Sequence, residues 1–181
     1  MISKEREILG SKEFNVLIDR LARQLIENHN SFSNSVLVGI QPRGTFFAER
    51  LKKKLEELLG VSILAGAIDT TFYRDDFRTK EKPLLPSVTN LDFSIESKNV
   101  VLVDDVLFTG RTVRAAMDAL LAFGRPKSIE LMVLIDRRFS RNLPIQANYI
   151  GKSVDTISSE RVEVVWNDVE DFEQVILVKN G

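Results

Sequence analysis

The stretch that most constrains this 181-residue chain is Val100-Val101-Leu102-Val103, followed at once by Asp104-Asp105 and then by Thr109-Gly110-Arg111-Thr112. Four consecutive apolar residues, three of them β-branched, read as a strand buried on both faces, the habit of parallel strands covered by helices. Val113, Ala116, Met117, Leu120 and Leu121 then recur at three- and four-residue spacing, which predicts an amphipathic helix closed near Gly124 and Pro126. Strand, short polar loop and helix in this order belong to an open α/β sheet, where ligands bind beyond the carboxyl ends of the strands.

The rest of the chain repeats the theme. Ser11 is placed to cap a helix whose residues Phe14, Leu17, Ile18, Leu21 and Leu25 share one face. Val36 to Ile40 reads as a buried strand, Phe47, Leu51, Leu55 and Leu58 as the face of a second helix stopped by Gly60, and Val61 to Ile68 as a second strand. The Val100 strand is expected from Lys98 to Val103, a fourth from Ser128 to Ile135, and short strands over 148–150, 161–166 and 174–178. Such alternation predicts an α/β fold with a central, mainly parallel sheet flanked by helices, in one domain over residues 1–181. Residues 74–97 carry mixed charge and weak periodicity, and are expected to be a flexible lid. No apolar run of about 18 residues is present, so no membrane partner is expected and the protein is placed in the cytoplasm. With no cysteine and one histidine, a metal here is expected to be a hard cation on oxygen ligands. A net charge of −1 gives no global basic field for nucleic acid.

The chemistry concentrates at residues 100–112. Backbone N–H groups of Thr109, Gly110, Arg111 and Thr112 at a helix N-terminus form a nest for an anion, and the threonine hydroxyls add donors. Asp104 and Asp105 are acceptors suited to a ribose diol. Diol and phosphate on one loop point to ribose 5-phosphate. The bland alternative, a solvated strand end and a turn glycine, requires all four features to fall in register by chance. Gly39 and Gly44 have Walker-loop spacing, but Thr45 occupies the lysine position and no G-x-G-x-x-G follows a strand, which argues against nucleoside triphosphate hydrolysis.

These thirteen residues resemble the signature of the type I phosphoribosyltransferases. Val38-Gly39-Ile40-Gln41-Pro42-Arg43-Gly44, Asp69 to Asp76, Leu134-Ile135-Asp136-Arg137 and Leu143-Pro144-Ile145 extend the resemblance to the PyrR family of bifunctional pyrimidine operon regulators and uracil phosphoribosyltransferases, over nearly the whole chain. The resemblance implies the type I fold with a lid and a small C-terminal hood, the base pocket lying in 136–181. It implies a reaction that joins uracil to 5-phosphoribosyl 1-diphosphate, giving UMP and diphosphate. Ile40, Gln41, Pro42, Arg43 and Gly44 would bind the diphosphate, and Asp104 and Asp105 would hold the ribose hydroxyls directly or through Mg²⁺ and its waters. Tyr73 and Arg74 would stand at the lid, and Phe108, Ile135, Asp136 and Arg137 at the base. It implies a homodimer or larger assembly and, for a UMP-sensing regulator, binding of an mRNA leader. Without the family, Arg43 also fits a surface residue ahead of a helix, Tyr73 and Arg74 a cover for the sheet edge, and Asp136 an ordinary strand end.

Purine-salvage relatives have an acid just before the Thr-Gly, where this chain has Phe108, which disfavours purines. Arg138-Phe139-Ser140-Arg141-Asn142 is one residue longer than the family's Gly-His-Arg-Glu, so a different base, or regulation without significant enzyme activity, stays open. Gln146 replaces an arginine, and Asp19 and Arg23 stand where threonine and histidine are usual. Arg20, Arg23, Arg137, Arg138 and Arg141 form either a basic patch for RNA or a solvated face. Lone His29, between Asn28 and Asn30, is expected to be an exposed capping residue.

Overall fold

The computed structural model describes residues 4–73, 88–157, 159–167 and 173–179. Arg74 and the first part of the expected lid, through residue 87, lie outside the described residues. The elements in order are β1 (Lys4–Leu9), α1 (Ser11–His29), β2 (Ser35–Ile40), α2 (Arg43–Leu59), β3 (Ala65–Ile68), a 3-10 turn (Thr71–Tyr73), β4 (Asn99–Leu107), α3 (Arg111–Leu121), β5 (Ser128–Arg138), β6 (Tyr149–Asp155), β7 (Glu160–Val165) and β8 (Gln174–Lys179). Strands β3-β2-β4-β5-β6 form one sheet, parallel throughout.

Both faces of that sheet are buried, as its uninterrupted apolar strands require. Leu37, Val101, Val103, Met132 and Leu134 face Phe14, Leu21, Leu25, Phe47, Leu51 and Leu55 of α1 and α2. The alternate residues Val36, Val38, Val100, Leu102, Leu131 and Val133 face Val113, Ala116 and Leu120 of α3. The helical faces predicted from spacing are the ones buried, except that Leu58 and Met117 are only half-buried and Leu121, at the end of α3, is exposed. Gly60 ends α2 at φ 67°, a conformation that favours glycine.

Three expectations are corrected here. Ser11 is the first residue inside α1, whose N-cap is Gly10; its hydroxyl donates instead to the Glu173 carbonyl at 2.8 Å. The second half of the lid region is anchored: Ala67 and Asn90 exchange backbone hydrogen bonds at 2.8 and 2.9 Å, Ile95 is fully buried, and Leu91 and Phe93 pack on the α3-side core. The hood is also not purely C-terminal, because β1 pairs antiparallel with β8, which pairs with β7. Trp166 at the end of β7 seals this small sheet onto the helices, edge-on to Phe14 at 5.3 Å and stacked on Phe47 at 6.2 Å. No described helix is long and apolar enough to cross a membrane.

Candidate phosphoribosyl site

Strand β4 runs four residues past Val103, so Asp104 and Asp105 lie within the strand instead of after it. Its ladder with β5 pairs Asp104 with Val133 and Val106 with Ile135. Around the acids the alternation of faces breaks: Val106 packs with the α1/α2-side core and Leu107 with the α3-side core, the reverse of what counting from Val103 predicts. The carboxylates cap the local backbone, Asp104 Oδ1 accepting from the Asp105 N–H at 2.9 Å and Asp105 Oδ1 from the Val106 N–H at 2.7 Å. Asp104 is 8% exposed and Asp105 7%. Burial pushes the Asp105 carboxyl above the usual carboxylate range, and the Arg43 guanidinium only partly opposes it. Asp105 Oδ2 has Arg43 Nη1 at 3.9 Å, too far for a hydrogen bond, and that nitrogen donates to the Val164 carbonyl of the hood at 3.0 Å.

Two helix N-termini converge on this strand end. Only Gln41 and Pro42 separate β2 from α2, so Arg43 and Gly44 form the first turn of α2 and not a loop. Gly44 is packed so tightly that a Cβ there would meet the Val103 carbonyl oxygen at 2.3 Å and the Asp104 Cα at 3.2 Å. Glycine thus lets the α2 N-terminus rest on the backbone of the acid pair. Gly110 is the N-cap of α3 at φ 88°, and its missing side chain leaves room for Ile145, 3.2 Å from where a Cβ would stand. Thr109 is held from behind by the backbone N–H groups of Asn142 and Leu143, which donate to its carbonyl at 3.0 and 3.3 Å. Arg111 N–H reaches the Thr109 hydroxyl at 3.4 Å, and Thr112 is half-buried in the same first turn. Two positive helix ends around two carboxylates suit a ligand that is anionic at both ends with hydroxyls between.

For a hard cation the donor chemistry fits, being carboxylate oxygen at the mouth of a polar site. Among the described residues no third carboxylate, His or Cys joins them, so further oxygens would have to come from ligand and water.

The structure sorts the remaining candidates. Phe108 follows β4 and is 45% exposed, with the Arg137 guanidinium over its ring at 4.0 Å. Arg137 itself is only 5% exposed; Nε donates to Thr156 Oγ1 at 3.1 Å and Nη2 to the Glu160 carbonyl at 2.9 Å. Burial lowers its pKa, against the pull of Glu160. The Ile135 side chain is fully buried in the core, away from any pocket surface. Asp136 pairs with Arg141. Arg141 also donates from Nη1 to the carbonyls of Leu107 at 3.2 Å, of Phe108, and of Arg137 at 2.9 Å, and from Nε to that of Ile145 at 3.2 Å. Nothing in the spacing of charges marks Arg141 as such a tie.

The five arginines considered for RNA therefore do not share one surface. Arg137 and Arg141 turn inward, whereas Arg20, Arg23 and Arg138 are exposed. Arg20 donates to the carbonyls of Ile150 at 3.3 Å and Gly151 at 2.6 Å, Arg23 pairs with Asp19 at 2.8 Å, and Arg138 pairs with Asp155 at 2.6 Å. Tyr73 is partly exposed at the edge of the described residues, its carbonyl accepting from Arg114 of α3 at 3.2 Å. His29 is not an exposed cap. Its imidazole is almost fully enclosed, with Nδ1 2.9 Å from the Ser35 hydroxyl and Nε2 3.2 Å from both Glu130 and the Tyr149 hydroxyl.

A parallel sheet with an acid pair and two helix N-termini at its carboxyl edge defines a class. The profile described as "Phosphoribosyl transferase domain" matches residues 5–167. Solved structures share the fold: the hypoxanthine phosphoribosyltransferase of Trypanosoma cruzi superposes with a TM-score of 0.72 at 16% identity over 97% of each chain. The HGPRT-ase of Leishmania tarentolae in complex with GMP gives 0.73 at 16% identity, again over 97% of each chain. More specific are proteins named "Bifunctional protein PyrR": that of Haemophilus ducreyi is 45% identical over 174 residues, 96% of this chain and 97% of its own length. That of Listeria monocytogenes serotype 4b is 45% identical over 183 residues, 99% of this chain and all of its own. The chain belongs to the phosphoribosyl transferase family and, within it, to the bifunctional PyrR proteins.

Proposed function

We propose that the protein transfers the phosphoribosyl group of 5-phosphoribosyl 1-diphosphate to uracil, forming UMP and diphosphate. The observation that carries this reading is the convergence of Asp104 and Asp105 with the first turns of α2 and α3, together with Phe108 where a purine-directed acid would stand. Thr109 to Thr112 bind the 5-phosphate through backbone N–H groups and hydroxyls at the positive end of α3. Asp104 and Asp105 accept hydrogen bonds from the ribose 2- and 3-hydroxyls, which fixes the ring while C1 loses its bond to the diphosphate. The exposed part of Arg43 and the N–H groups of Arg43 and Gly44, at the positive end of α2, take up negative charge on the departing diphosphate, their cost of ordering already met in the folded helix turn, while the Gln41 N–H is given to the Ile68 carbonyl at 3.0 Å. Tyr73 and Arg74 open the stretch of sequence that the family resemblance casts as a lid, whose part in the reaction would be to keep water from capturing C1. Mg²⁺, held by Asp104 and Asp105 directly or through water, supplies further charge neutralisation on the diphosphate when bound. Phe108, Asp136 and Arg137 and the backbone at Ile135 form the base side. The flat apolar ring of Phe108 offers no proton acceptor for a purine N7, which favours the smaller pyrimidine.

The experiment is diphosphate release from protein, Mg²⁺ and 5-phosphoribosyl 1-diphosphate with a panel of free bases. Release with uracil and not with hypoxanthine, guanine or adenine is the expected result; release with a purine overturns the base assignment.

A second activity is favoured by the exposure of Arg20 and Arg23 on α1 and of Arg138 at the end of β5: a UMP-sensing regulator that binds the leader of a pyrimidine mRNA, in a homodimer or larger assembly. With Arg137 and Arg141 turned inward, this surface has fewer free cations than the sequence implies, and Asp19 offsets Arg23. RNA affinity should rise with UMP and fall steeply with salt, the slope of log affinity against log salt counting the phosphates neutralised. An affinity indifferent to UMP would remove the regulatory reading and leave the enzyme.

A further inference from the structure

We propose that Arg137 is a positioning residue for the base, acting through the Phe108 ring and not by touching the base, a proposal that rests on the phosphoribosyl site described above. Phe108 sits between Leu107, the last residue of β4, and Thr109, the start of the phosphate turn, so its ring projects from the junction of the two subsites. With the Arg137 guanidinium over the ring at 4.0 Å, the 45% of Phe108 that stays exposed belongs to the opposite face and the edge. A flat, half-exposed aromatic face beside a ribose 5-phosphate nest suits offset stacking of a planar pyrimidine. An aromatic side chain left alone at such a junction would move among rotamers and lose that freedom on binding. The guanidinium prevents this by capping one face.

Arg137 is itself immobilised, and from another part of the fold. Its Nε donor is taken by Thr156 Oγ1, just after β6, and an Nη2 donor by the carbonyl of Glu160, the first residue of β7. Directed at those acceptors and at the ring, and only 5% exposed, the guanidinium is placed to orient a wall of the pocket and not to read the base edge. A chain of contact thus runs from the hood, through Arg137, to Phe108. Lysine cannot reproduce it, because an ammonium has no planar fork to serve two fixed acceptors while lying flat over a ring.

Binding is the decisive readout, since it does not depend on turnover. Dissociation constants for UMP and for ribose 5-phosphate, which lacks the base, are measured by calorimetry for the wild type, Arg137→Gln, Phe108→Leu and the double variant. Arg137→Gln should weaken UMP by about tenfold and leave ribose 5-phosphate within about twofold. In the Phe108→Leu background the same change should cost less than about twofold, because the ring it holds is gone. Arg137→Lys should resemble Arg137→Gln. Equal losses for UMP in both backgrounds mean that Arg137 contacts the base directly, and equal losses for UMP and ribose 5-phosphate mean a general structural role; either overturns the proposal. If Arg137→Gln does not fold, Thr156→Val, which removes only the Nε acceptor, must show the same selective loss of UMP. A wild type that binds neither ligand would instead refute the phosphoribosyl site itself.

Discussion

The two ends of the parallel sheet bury polar groups in opposite ways. At the amino end, where β2 and β5 begin, His29, Ser35, Glu130, Tyr149 and Asn28 satisfy one another: the Tyr149 hydroxyl donates to Glu130 at 2.6 Å and accepts from Asn28 at 3.1 Å, and both imidazole nitrogens have partners. At the carboxyl end, Asp105 is buried with the Arg43 guanidinium 3.9 Å away, and two helix N-termini point at the same place. The closed network is what folding alone favours, since an unmatched buried polar group costs stability. An acid held above its usual pKa by burial, beside convergent donors, marks a site built for a partner from outside the chain.

That contrast can be broken by mutation. The largest effect belongs to Asp104→Asn with Asp105→Asn: diphosphate release should fall by at least about 100-fold, while melting temperature holds or rises because a desolvated carboxylate is removed. The sign for Asp105 follows from its raised pKa. The folded state keeps this proton to higher pH than the unfolded state, so its contribution to stability declines as pH rises from the unfolded value through the folded one. Stability of the variant against pH should lack that decline.

Next is Gly44→Ala, whose new methyl meets the Val103 carbonyl oxygen at 2.3 Å. Displacing α2 from β4 should cost about 1–3 kcal/mol in chemical denaturation and weaken diphosphate binding, although no ionisable group has changed. At the opposite end, Tyr149→Phe should cost about 1–2 kcal/mol by leaving Glu130 and Asn28 short of a partner, yet leave kcat unchanged. Loss of kcat there would show that the ends are coupled.

The smallest effect is a pH dependence. Burial, and then the bond to Glu130, push the Tyr149 hydroxyl up to about 12. Its folded state therefore holds a proton that the unfolded chain gives up near 10, so this stabilisation is complete below about 10 and is lost as pH climbs toward about 12. With only two tyrosines in the chain, ultraviolet titration of wild type against Tyr149→Phe reads this directly. An ordinary midpoint for Tyr149 would mean that the network is open to water.

How much of this was legible beforehand differed by region for physical reasons. The helices announced themselves because one buried stripe leaves a 3.6-residue period, and β2, β4 and β5 because burial on both faces leaves unbroken apolar runs. Strand β1 left no such trace: Lys4-Glu5-Arg6-Glu7 is an edge of the small sheet whose pairing with β8 is made by backbone, so its side chains need no pattern. Leu91, Phe93 and Ile95 did carry a period-two signal, masked by the polar stretch before them. The acid pair and Thr-Gly-Arg-Thr stood out in the sequence as a candidate site, because an anion nest and diol acceptors would need particular residues in a row. The ties made by His29, Arg137 and Arg141 were not, since they include partners as far as 120, 23 and 34 residues away on other elements.

The most direct measurement is an amide-resolved titration of the folded protein with 5-phosphoribosyl 1-diphosphate in the presence of Mg²⁺, followed by nuclear magnetic resonance. The backbone amides of Gln41, Arg43, Gly44 and Thr109 to Thr112 should shift together at the carboxyl end, while those of His29, Ser35, Glu130 and Tyr149 stay in place. Shifts confined to other surfaces, with both helix N-termini unmoved, would contradict the account.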